Sequence, residues 1–84
     1  MEQAETRVAV IGIIVENPDS VGKLNDILSR HREKIIGRMG LPYEKKNIRC
    51  ITVVIDAAQN EINTLCGQIG KLDGVSSKAA FSNV

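Results

Sequence analysis

From Val8 to Val15 every side chain is apolar except at Gly12, and the run is bounded by Arg7 and Glu16. A segment this short and this rich in Val and Ile predicts a strand covered on both faces. The period then changes. Asn17 or Asp19 can cap a helix, Pro18 suits a first helical position, and Asp19 is favourable in a first turn. Val21, Leu24, Ile27, Leu28 and His31 follow at helical spacing, an apolar stripe that ends in a histidine. "KIIGRMGLP" predicts a short strand stopped by Pro42, and "PYEKKN" a polar turn with its lysines in water. "IRCITVVIDA" predicts a strand with Ile51, Val53 and Ile55 on one face and Cys50, Thr52 and Val54 on the other. From Gln59 to Leu72 the helical period returns at Ile62, Leu65, Cys66, Ile69 and Leu72. Asp73-Gly74 ends that helix, with Gly74 as its left-handed cap. "VSSKAAFSNV" is a last, weaker strand.

The order strand, helix, strand, strand, helix, strand predicts an α+β, ferredoxin-like βαββαβ sandwich, a four-stranded antiparallel sheet with both helices on one face. Residues 1–6 are expected to be a disordered polar lead-in and residues 7–84 a single domain. Such a sheet leaves its second face bare. Yet the first strand is apolar on both sides, Val8, Val10 and Ile14 against Ala9, Ile11, Ile13 and Val15. Apolar patches of that size mark interfaces. A second copy of the chain is therefore expected to cover the sheet or extend its edge, giving a dimer or tetramer, rather than a monomer with an apolar sheet. The candidate interface residues are Val8, Val10, Ile11, Cys50 and Val54.

Composition narrows the function. Of the 84 residues, 43% are hydrophobic and 25% charged, and the net charge is +1, so no global field draws the chain to nucleic acid or to an anionic membrane. The apolar run is too short to span a bilayer. A base-stacking sheet needs aromatics on its third strand, and "IRCITVVIDA" has none. Cys50 and Cys66 form no close pair, which argues against an iron–sulfur, copper or zinc site and fits a reducing cytoplasm. Arg30, Arg32, Lys34 and Arg38 cluster around His31 and read as a solvated helix end rather than an anion site. His31 and Cys66 read as packing groups. Cys50 is free to sit at an interface. No nucleophile–base pair, carboxylate pair or phosphate loop can be assembled, so the chain is expected to be no enzyme and to need neither metal nor cofactor.

Gly22 costs an early helical turn about 1 kcal/mol relative to alanine. Two explanations stand level: tight helix-to-sheet packing, or the close approach of a ligand or neighbouring subunit to backbone N–H groups at the positive end of the helix. The second makes Asn17, Asp19, Ser20, Val21 and Gly22 candidate ligand-binding residues for a small anion or amino acid.

"ENPDSVGKLNDIL" resembles the D-x-P-G-x-L opening of ACT domains, with Asp19, Gly22 and Leu24 matching and Val21 standing in place of proline. That resemblance implies pairing through sheets and a small effector bound at an interface near the glycine. The runs "RHREKIIGRMG", "CITVVIDA" and "NEINTLCGQIGKLDGV" resemble the ACT-like C-terminal regulatory domain of nickel-responsive transcriptional regulators. In that register the nickel ligands would fall on Ser29, Gly40, Pro42 and Ile48, none of which is a usual metal ligand, and no ribbon-helix-helix DNA-binding segment precedes the first strand. The chain as a whole resembles the small stand-alone family of regulators of the iron-only hydrogenase system. The resemblance implies a cytoplasmic, oligomeric, effector-sensing module; the alternative is a structural partner that docks on another protein.

Overall fold

The computed structural model describes residues 5–83. The expected lead-in falls mostly outside that range, and Glu5 and Thr6 belong to no strand or helix. The elements are β1 (Arg7–Val15), α1 (Val21–Arg30), β2 (Ile35–Tyr43), β3 (Ile48–Ala57), α2 (Gln59–Gly70) and β4 (Val75–Phe81). They form one antiparallel sheet of order β2-β3-β1-β4, the ferredoxin-like arrangement. Among the described residues no helix is long and apolar enough to cross a membrane.

Because side chains alternate across a strand, one parity of each central strand builds the core. Ala9, Ile11, Ile13 and Val15 of β1 and Ile51, Val53, Ile55 and Ala57 of β3 are buried against Leu24, Ile27 and Leu28 of α1 and Ile62, Leu65 and Ile69 of α2. Ile11 pairs with Val53 and Ile13 with Ile51, so the two strands present one continuous apolar face to the helices. The prediction that β1 is buried on both faces fails within a single chain: Val10 is 44% and Ile14 37% exposed. Both helices lie on one side, and among the described residues no helix covers the other.

Three details differ from the sequence reading. The expected start of the first helix is a separate 3-10 turn, Pro18–Ser20, which Asn17 caps by accepting the Asp19 N–H at 3.0 Å. The Ser20 N–H also donates to the Asn17 carbonyl at 3.0 Å, an i to i+3 bond that tightens this turn before α1 begins at Val21. β2 continues through Pro42 to Tyr43, because it is an edge strand and has no outer neighbour to lose a hydrogen bond. It also carries a bulge: Ile35 pairs with Ile55, Gly37 with Val54, and Ile36 is left over between them, 63% exposed. Finally, α2 stops at Gly70, short of Leu72, and Gly74 takes its left-handed conformation, φ +69°, four residues past the helix end.

Candidate functional site: an apolar sheet face and a basic cleft

The turn between β1 and α1 holds the predicted ligand residues, and the structure gives most of them structural work. The Ser20 hydroxyl donates to the Asp73 carbonyl at 2.6 Å, and Ser20 is buried. The Asn17 amide donates to the Asp73 carboxylate at 2.7 Å. Glu16 N–H donates to the Gly74 carbonyl at 2.7 Å. These bonds fasten the start of α1 to the turn between α2 and β4, and they occupy the polar atoms of Asn17 and Ser20. Asp19 and Gly22 are exposed and Val21 is half-buried against the core. A Cβ built on Gly22 would meet nothing within 4 Å, so helix-to-sheet packing is not what keeps a glycine there. The glycine with a close neighbour is Gly74, where a Cβ would sit 2.7 Å from Asn17 Cβ.

Beside this turn lies a cleft of about 130 Å3, lined by Val21 and Asn25 of α1, Arg38, Gly40, Leu41 and Pro42 of β2, and Arg49 and Ile51 of β3. Arg38 donates to the Asn25 side-chain oxygen. A second hollow of about 210 Å3, between Pro18 and the tip of the β2–β3 hairpin, shares Pro42 and Arg49 with the first. The basic cluster read from the sequence is thereby divided. Lys34 forms a salt bridge with Glu61 of α2 at 3.0 Å, which holds the Glu61 carboxyl below its ordinary range, while Arg38 turns to the cleft. His31 closes α1 and is half-buried. Cys66 packs at the edge of the core, where burial pushes its thiol up.

The other candidate surface is the bare side of the sheet. Strand pairing places Val8, Val10 and Ile14 with Cys50 and Val54 of β3, Met39, Leu41 and Tyr43 of β2, and Ala80 of β4. Four of the five predicted interface residues, Val8, Val10, Cys50 and Val54, are therefore on this face. Ile11 is not: it has the opposite parity and is fully buried beneath the helices. Met39 and Leu41 are each 58% exposed and Tyr43 is 46% exposed. The sequence reading missed these three and Ile14 as interface residues, although the alternation in "RMGLPY" carries the signal. Among the described residues, no three His, Cys, Asp or Glu side chains are grouped to hold a metal ion.

Comparison with known proteins agrees with this architecture. The TM1266-like family, described as "Iron-only hydrogenase system regulator, putative", matches residues 7–79. The structure of the uncharacterized protein TM1266 from Thermotoga maritima is similar over 92% of this chain and 98% of that one, at 27% identity and a TM-score of 0.88. No curated protein sequence matches the chain.

Proposed function

We propose that this chain, which belongs to the TM1266-like family of iron-only hydrogenase system regulators, works as a self-associating, effector-sensing regulatory module and not as an enzyme. The observation that carries the reading is the bare sheet face. Its outward positions hold one anion, Asp56, and one cation, Lys78, among apolar and small side chains, so the face has no net charge and is compatible with a copy of itself. Nine residues by four strands span about 30 by 19 Å, roughly 600 Å2 before side-chain relief. A standard interface takes about 800 Å2 of accessible surface from each partner, and the projecting side chains raise this face above its flat area toward that size. Small effectors would act on the assembly, and the two free thiols suit the reducing cytoplasm in which we place it.

Light scattering at micromolar concentration tests the assembly. The expected mass is two or four times that of the chain. Val10→Asp and Leu41→Asp should yield folded monomers, because each puts a charge on the bare face. Ile11→Asp should abolish folding, since an unpaired charge in the core costs several kcal/mol in a domain with about 5 to 10 to lose. A wild-type monomer at 100 μM would overturn self-association and leave the face to a different protein.

A further inference from the structure

Arg38 and Arg49 are far apart in sequence, and the hairpin brings both to one cleft whose lining contains no carboxylate. Arg38 is aimed by Asn25, one turn into α1. Among the described residues the Arg49 side chain makes no hydrogen bond or salt bridge, even though Glu44 lines the adjoining hollow. The remaining lining is apolar or lacks a side chain: Val21, Leu41, Pro42, Ile51 and Gly40. At Gly40 an added Cβ would make an ordinary contact, 3.9 Å from Ile51 Cγ1, another residue of the cleft wall.

We propose that the cleft between α1 and the β2–β3 hairpin binds a short-chain organic monocarboxylate, its carboxylate held by Arg38 and Arg49 and its carbon chain laid on Val21, Pro42 and Ile51. Guanidinium forks match a carboxylate in shape and charge. Two of them with no acidic partner in the lining repel one another, and an anion removes that repulsion. A cleft of about 130 Å3 admits a molecule of only a few heavy atoms. Inorganic phosphate satisfies the guanidiniums but leaves the apolar wall in contact with water, so the carboxylate with a chain is the better match. The inference rests on the sensing half of the reading above and is independent of self-association.

The test is a titration of the 15N-labelled protein with sodium butanoate, followed by amide NMR shifts against sodium chloride at matched ionic strength. Saturable shifts should centre on Val21, Asn25, Gly40, Leu41 and Ile51. Arg49→Gln should raise the dissociation constant about tenfold or more with an unchanged melting temperature. Acetate should bind more weakly than butanoate, and phosphate more weakly still. Equal or tighter binding of phosphate would overturn the carboxylate assignment. Butanoate saturating at other residues, indifferent to Arg49→Gln, would overturn this site while sparing effector sensing. Absence of saturation with every probe would overturn both, and light scattering on the same samples reports separately on assembly.

Discussion

A methyl group added at Gly74 would arrive 2.7 Å from Asn17 Cβ and 3.0 Å from Asn17 N, on a backbone already at φ +69°. The left-handed conformation alone costs an L-residue about 1 to 2 kcal/mol, and the collision adds to it. Gly74→Ala is therefore expected to lose at least about 2 kcal/mol in urea denaturation. Gly22→Ala should do the reverse. Its side chain enters open space on a helix, and stability should rise by up to about 1 kcal/mol. If the alanine variant also weakens assembly or effector binding, the contact that favours glycine comes from outside the chain. The sequence marks Gly22 as locally costly and Gly74 as the left-handed residue that ends the second helix. It does not show which glycine has a neighbour, because Asn17 and Gly74 meet only in the folded chain.

Short bonds between elements set how firmly α1 is held. Ser20→Ala removes the buried hydroxyl that reaches the Asp73 carbonyl, and thermal or urea unfolding should register a loss of about 1 to 3 kcal/mol. The Lys34–Glu61 bridge joins the turn before β2 to α2. Its hydrogen bond lowers the Glu61 carboxyl below the unfolded value. A depressed carboxylate contributes stability that is complete above its unfolded pKa and disappears as pH falls through the folded one. Glu61→Gln should accordingly lower stability slightly at neutral pH and leave it unchanged below the folded pKa, which flattens the acid limb of a stability–pH curve; the effect is small because both ends are exposed. Most element boundaries were legible from period alone, and β3 and the start of α2 fall where the pattern put them. The 3-10 turn at Pro18 and the passage of β2 through Pro42 were not. Both depend on what lies beside the proline, a backbone carbonyl in one case and an empty sheet edge in the other.

At the scale of the whole molecule, the two cysteines report on opposite sides of the sheet. Cys50 belongs to the bare face and Cys66 to the helix layer, where burial pushes its thiol up and disfavours the reactive thiolate. Alkylation of Cys50 should be several-fold slower in the wild-type protein than in the Val10→Asp monomer, with Cys66 slow and equal in both. Equal Cys50 rates, read by mass spectrometry, would show that nothing covers the face. The fold class, the helix-covered core and the presence of an apolar second face could all be read from the alternation in β1 and β3. Which parity faces outward could not, and Ile11 was misplaced for that reason: both parities of β1 are apolar, and only the helices distinguish them. The cleft was hidden more deeply, since Arg38 and Arg49 come together only through the register of the hairpin.

That register turns on Ile36. The odd-numbered residues of β2 form one alternating series, Ile35, Gly37, Met39, Leu41 and Tyr43, and in an uninterrupted strand all five would point the same way. The surplus residue shifts the phase once. Ile35 stays opposite Ile55 on the helix side, whereas everything from Gly37 onward is inverted. Met39, Leu41 and Tyr43 are thereby sent to the open face and Arg38 to the cleft. One inserted residue thus acts as a polarity switch for the hairpin, assigning grease to one side and charge to the other.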